Sequence, residues 1–190
     1  MKIGLYFGSF NPIHIGHLII ARHLLDNSSL EQVWFVVSPQ NPLKSQAGLL
    51  NEYQRLHLVS LSIEGENRLK ASNIEFNLPK PSFTIDTLTY LEEKYPDQDY
   101  AIIMGSDSYV NLDKWKSGEL IKERYELYVY ERRGFPINRS TETNRLHFVD
   151  APLLDISASY IRKQIKAGKS IRYLVTDAVH DEILKAGYYR

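Results

Sequence analysis

The chain has 190 residues, a formal net charge of zero, no cysteine, 43% hydrophobic residues and 24% charged residues. That length suits one domain, residues 1–190, with an ordinary core. The absence of thiols excludes a disulfide framework and a cysteine nucleophile, and neutrality argues against a broad footprint on nucleic acid. No run approaches the roughly 18 apolar residues of a membrane span, and Ser9, Asn11, Pro12, His14 and His17 interrupt the apolar N-terminus, so the chain reads as a mature cytoplasmic protein with no membrane partner.

Residues 2–7 (KIGLYF) form a short apolar run that predicts a strand, and residues 15–26 follow with helical spacing. Residues 31–38 are rich in β-branched and aromatic side chains and predict a second strand, which completes a βαβ unit. Two prolines mark 38–48 as a loop, 51–63 reads as a helix, and 68–76 reads as a strand with ragged ends. The segment 82–96 predicts a helix capped by Ser82 or Thr84 and stopped by Pro96. Then come a buried strand at 99–105, two short helices within 106–123 broken near Ser117-Gly118, and strands at 125–132 and 145–152. Helices over 155–168 and 175–189 close the chain. The alternation predicts an α/β fold: one Rossmann-like domain, a mainly parallel sheet flanked by helices, and a helical C-terminal part. In such sheets ligands bind beyond the carboxyl ends of the strands, which makes the first βα turn the leading site.

That turn reads GSFNPIHIGH, from Gly8 to His17. A glycine after a strand is ordinary turn chemistry, but two imidazoles three residues apart near a helix start are not. Gly16 between them lowers helix propensity by about 1 kcal/mol relative to alanine. The helical zinc pair has a spacing of four around a glutamate, and the dehydrogenase fingerprint needs three glycines at fixed offsets; neither pattern is present. Phosphate chemistry fits. A glycine turn lets backbone N–H groups approach a phosphate, the helix that follows adds partial positive charge, and imidazoles donate to phosphate oxygens as charge develops.

The motif His14-Ile15-Gly16-His17 resembles the H-x-G-H signature of the nucleotidylyltransferase superfamily. Far along the chain, ISASYIR (156–162) is similar to that superfamily's second signature, I-S-x-[ST]-x-x-R. Within it the chain looks most like the bacterial nicotinate mononucleotide adenylyltransferases, through FNP (10–12), SFTIDTL (82–88), MGSDS (104–108), ERRGFPI (131–137) and the terminal GYYR (187–190). Two departures stand out. Asn11 replaces the commoner aspartate, and the loop sequence NPLKS (41–45) supplies Lys44 but lacks the usual histidine.

The resemblance implies adenylyl transfer from ATP to nicotinate mononucleotide, with Mg²⁺ held mainly by the substrate phosphates and no protein metal site. It implies His14, His17 and Arg162 as catalytic residues, with His17 the main donor to the α-phosphate and Arg162 on the leaving pyrophosphate. The nucleotide-binding set would be Gly8, Ser9, Phe10, Gly16, Lys44, Gly105, Asp107, Ile156, Ser157 and Ser159. Asn41, Thr84 and Trp115 would serve the acceptor. Read alone, Arg162 is a solvated helix residue, Ser157 and Asp107 are helix caps, and Trp115 is a half-buried packing residue. A pantetheine-phosphate or nicotinamide mononucleotide acceptor, or a nucleotide sensor without turnover, are the rival readings. The sequence leaves the oligomeric state open.

Overall fold

The computed structural model describes residues 1–39, 48–152 and 154–190. Its strands are β1 (Lys2–Gly8), β2 (Gln32–Val37), β3 (Leu69–Ser72), β4 (Asp99–Gly105), β5 (Glu126–Tyr130) and β6 (Leu146–Val149). They form one sheet in the order β3-β2-β1-β4-β5-β6, with each neighbouring pair parallel. The helices are α1 (Ile15–Asn27), α2 (Glu52–Ser62), α3 (Thr84–Lys94), α4 (Ser106–Tyr109), α5 (Gly118–Arg124), α6 (Ala158–Lys166) and α7 (Asp177–Ala186). This is the Rossmann-like α/β architecture that the alternation of elements predicts.

Period-two alternation explains how the strands bury both faces. Val33, Phe35 and Val37 of β2 join Ala101 and Ile103 of β4 on one face, where Ile20, Leu24, Leu58, Ile161, Val179 and Ile183 pack from α1, α2, α6 and α7. Ile3 and Leu5 of β1, Ile102 of β4 and Val129 of β5 face the other way, against Ile85, Leu88 and Leu91 of α3 and Ile121 of α5. Near-continuous apolar runs such as AIIM in β4 follow from burial on both sides.

Local chemistry sets several boundaries. Ser157 caps α6 by accepting from the Tyr160 amide, and Thr176 caps α7 through the Val179 amide. The segment after β4 breaks as the sequence predicts, with Ser117 in the left-handed region at φ +56° just before α5. The predicted strand over 68–76 shortens to β3, and residues 74–77 turn instead into a 3-10 helix. The predicted cap of α3 also differs. Phe83 holds the cap position without a side-chain cap bond, because the Ser82 hydroxyl donates to the Glu75 carboxylate at 2.8 Å and Thr84 is already the first helical residue. Glu75 is buried and also accepts from Thr87 at 2.9 Å, so it ties the 3-10 turn to the start of α3. Among the described residues no helix is long and apolar enough to cross a membrane.

Candidate active site

β1 and β4 are neighbours at the centre of the sheet, but the chain leaves β1 for α1 on one face and β4 for α4 and α5 on the other. The crevice beyond their carboxyl ends holds a cavity of about 280 Å³, small-molecule rather than macromolecular in scale. Gly8, Ser9, Phe10, His14 and His17 line it from the first turn, Gly105, Asp107 and Trp115 from the segment after β4, and Ser157, Ser159 and Arg162 from α6 and its cap. Two signatures far apart in sequence therefore share one cleft.

The histidines form a built pair. Their rings stack with centroids 3.7 Å apart and planes 26° apart. The His14 backbone N–H donates to His17 Nδ1 at 3.2 Å, so the neutral His17 ring carries its proton on Nε2. His14 is the N-cap residue of α1, and His17 stands in the first turn, where the amides of α1 leave partial positive charge. Tyr6 and Phe10 meet the His17 ring edge to face at 5.8 and 5.1 Å, which fixes its plane. Burial, with the nearby Arg132 charge adding to it, lowers the His14 pKa from 6.5 to about 4. His14 Nδ1 is buried without a hydrogen-bond partner among the described residues.

The two glycines of the turn each leave room for a neighbouring ring. Gly16 lies outside the cavity lining, and a Cβ there would stand 3.1 Å from His14 Nδ1 and 3.2 Å from its Cε1. Its bare Cα makes room for the stacked imidazole. Gly8 does line the cleft, but a Cβ on it would press into the Phe10 ring at 2.8 Å. Phe10 is folded back by a positive φ of +44°, a left-handed conformation that costs a non-glycine residue about 1–2 kcal/mol.

Arg162 reaches back from α6 to the first turn. Its Nη1 donates to the Asn11 carbonyl at 2.7 Å and its Nη2 to Ser159 Oγ at 3.1 Å, which orients the guanidinium before any ligand binds. Asn11 explains its own departure from aspartate. Its Nδ2 donates to the Gly48 carbonyl at 2.9 Å while its Oδ1 accepts from the Leu50 amide at 3.2 Å, and a carboxylate lacks the donor.

Other expected residues are placed differently. Thr84 opens α3 and Ile156 packs against the core beside α6, and neither lines the cavity. Asn41 and Lys44 lie outside the described residues. Asp107 sits 3.8 Å from the Arg132 guanidinium, and a Cβ at Gly105 would collide with both side chains. Arg132 is the residue that sequence reasoning missed. It shares with Tyr130 the alternating positions that face the cleft, while the adjacent Arg133 pairs with Asp155 at the surface. Two-residue periodicity continued past β5 was the signal that separated the two arginines.

Known proteins resemble this chain over nearly its whole length. A cytidylyltransferase-like family profile matches residues 5–164. The chain is 49% identical to a "probable nicotinate-nucleotide adenylyltransferase" of Cytophaga hutchinsonii over 100% of this chain and 98% of that one. It is 47% identical to a relative of the same name from Flavobacterium psychrophilum, with both chains fully covered. In fold it resembles the Plasmodium falciparum nicotinic acid mononucleotide adenylyltransferase solved with NaAD, at a TM-score of 0.84 and 22% identity, over 99% of this chain and 97% of that one. The chain belongs to the nicotinate-nucleotide adenylyltransferase family of cytidylyltransferase-like proteins.

Proposed function

We propose that this protein transfers the adenylyl group of ATP to nicotinate mononucleotide, giving deamido-NAD and pyrophosphate. The observation that carries the reading is the convergence of the stacked His14–His17 pair and the pre-oriented Arg162 on one cleft at the switch point of the sheet. A mononucleotide phosphate oxygen attacks the α-phosphorus as the bond to the bridging oxygen of pyrophosphate breaks. An ionised phosphate is already a nucleophile, so the site needs positioning and charge stabilisation rather than a base. His17 Nε2–H is assigned to the α-phosphate. His14 and the backbone of Gly8, Ser9 and Phe10 are assigned to neighbouring oxygens, and Arg162 with the Ser157–Ser159 start of α6 to the departing pyrophosphate. Trp115 offers a flat indole for the pyridine ring, and Asp107 a carboxylate for a ribose hydroxyl.

The donor chemistry of the cleft suits a triphosphate that brings its own magnesium. Its polar lining is mostly imidazole, hydroxyl, amide and guanidinium, all donors to phosphate, with Asp107 as a carboxylate already facing Arg132. Mg²⁺ in MgATP would neutralise phosphate charge during transfer. The protein residues bind and orient the oxygens around it.

The test offers MgATP with nicotinate mononucleotide, nicotinamide mononucleotide or phosphopantetheine and measures pyrophosphate. Release with the first acceptor well above the other two is expected; release only with another acceptor, or with none, overturns the assignment. His17→Ala should lower kcat by at least ~10²-fold, the scale for losing one transition-state donor. An unchanged kcat with a raised KM would make His17 a ground-state binder.

The neutral state of His14 also has a stability consequence. An unfolded chain protonates His14 below its ordinary value of 6.5, and the folded chain only below about 4. Between those values the unfolded state holds the extra proton, so stability falls as pH falls. From pH 7.5 to pH 5 this contributes a loss of about 2 kcal/mol. Urea unfolding of wild type and His14→Gln at both pH values should show that extra loss in the wild type alone. Equal losses would place His14 at its ordinary value.

A further inference from the structure

Outside the cleft, the group that the chemistry leaves unexplained is Arg55 of α2. It is 0% exposed and stands among apolar neighbours on a helix that also buries Leu58 and Val59. A buried guanidinium is costly unless its donors are satisfied. Its partners are four backbone carbonyls rather than a carboxylate. Nε donates to Leu50 at 2.9 Å, Nη1 to Ser9 at 2.6 Å and Ser38 at 2.8 Å, and Nη2 to Pro39 at 3.1 Å. These carbonyls come from three places: the turn after β1, the residues just after β2, and the end of the segment leading into α2.

We infer that Arg55 is a positioning residue for nucleotide binding: its fork clamps the Ser9–Phe10 peptide so that the cleft-facing turn keeps its shape. The inference rests on the adenylyl-transfer reading. In a trans peptide the carbonyl and the following N–H point in opposite directions. Pulling the Ser9 carbonyl into the interior therefore turns the Phe10 N–H away from Arg55, at the point where Ser9 and Phe10 line the cavity. The same clamp opposes the strain of Phe10, whose left-handed φ of +44° would otherwise relax. It also joins this turn to the described residues on both sides of 40–47, through Ser38 and Pro39 before and Leu50 after. Asn11 adds its paired bonds to Gly48 and Leu50. A planar five-donor fork meets four carbonyls in a way that an ammonium does not.

Arg55→Lys keeps the charge and removes the fork. In the full chain, the KM for ATP and the Kd of a non-hydrolysable ATP analogue by calorimetry should both rise roughly tenfold, about one charge-assisted bond. The KM for nicotinate mononucleotide should stay within about twofold, a split that a general loss of folded protein does not produce. A rise in both KM values, or in neither, overturns the inference. If the wild type itself shows no turnover, the adenylyl-transfer reading fails while the calorimetric comparison still judges Arg55. If Arg55→Lys does not fold, nitrogen-15 NMR of the wild-type guanidinium decides. Separate, slowly exchanging Nη signals are expected from a held fork, and signals averaged by free rotation overturn the clamp.

Discussion

The site depends on a constraint of connection. β1 and β4 pair in parallel through five registered positions, but the helices that follow them pack on opposite faces of the sheet. No crossover then fills the space beyond their carboxyl ends, and the polypeptide must open there. Everything functional is arranged around that opening. The first turn and the start of α1 form one wall, the segment from Gly105 to Trp115 forms another, and α6 closes from above the first turn through Arg162. The first turn of α1 and the start of α6 both border the same cavity, so the partial positive charge of two helix N-termini falls on one space.

Within that space, small residues act indirectly. Gly16 admits the His14 ring, Gly8 admits the Phe10 ring, and the rings in turn hold His17 in one plane. Rigidity of this kind matters for a reaction without a protein nucleophile. The barrier is lowered only as far as donors already stand where charge develops, since any reorganisation at the moment of transfer reduces the gain. A stacked pair with one nitrogen committed to the His14 amide, and a guanidinium committed to the Asn11 carbonyl, are pre-arranged in this sense.

Much of the fold was legible because its signals are local. The alternating apolar runs, and the serine cap before α6 and the glycine shortly after it, lie next to the elements that they define. The two signatures were legible for the same reason, as short patterns at helix starts. What escaped reading depends on parts of the chain that only the fold brings together. Arg55 looks like one more polar position on an amphipathic helix, and its burial is visible only once the turn after β1 and the residues after β2 join nearby Leu50 in offering it their carbonyls. Ser82 has the chemistry of a cap, yet the buried Glu75 competes for its hydroxyl and wins. Arg132 and Arg133 are indistinguishable by composition; the parity of the strand before them sends one into the cleft and the other to Asp155. Thr84, taken from resemblance alone, opens α3 and is not part of the lining.

The central claim is a single direct displacement at the α-phosphorus, stabilised by positioned donors and needing no covalent intermediate on the protein. The most direct measurement is the stereochemical course with ATP made chiral at that atom by a single sulfur substitution. One in-line attack by the mononucleotide phosphate predicts inversion of configuration in the dinucleotide product. Retention would require two successive displacements through an adenylylated side chain, and would contradict the account.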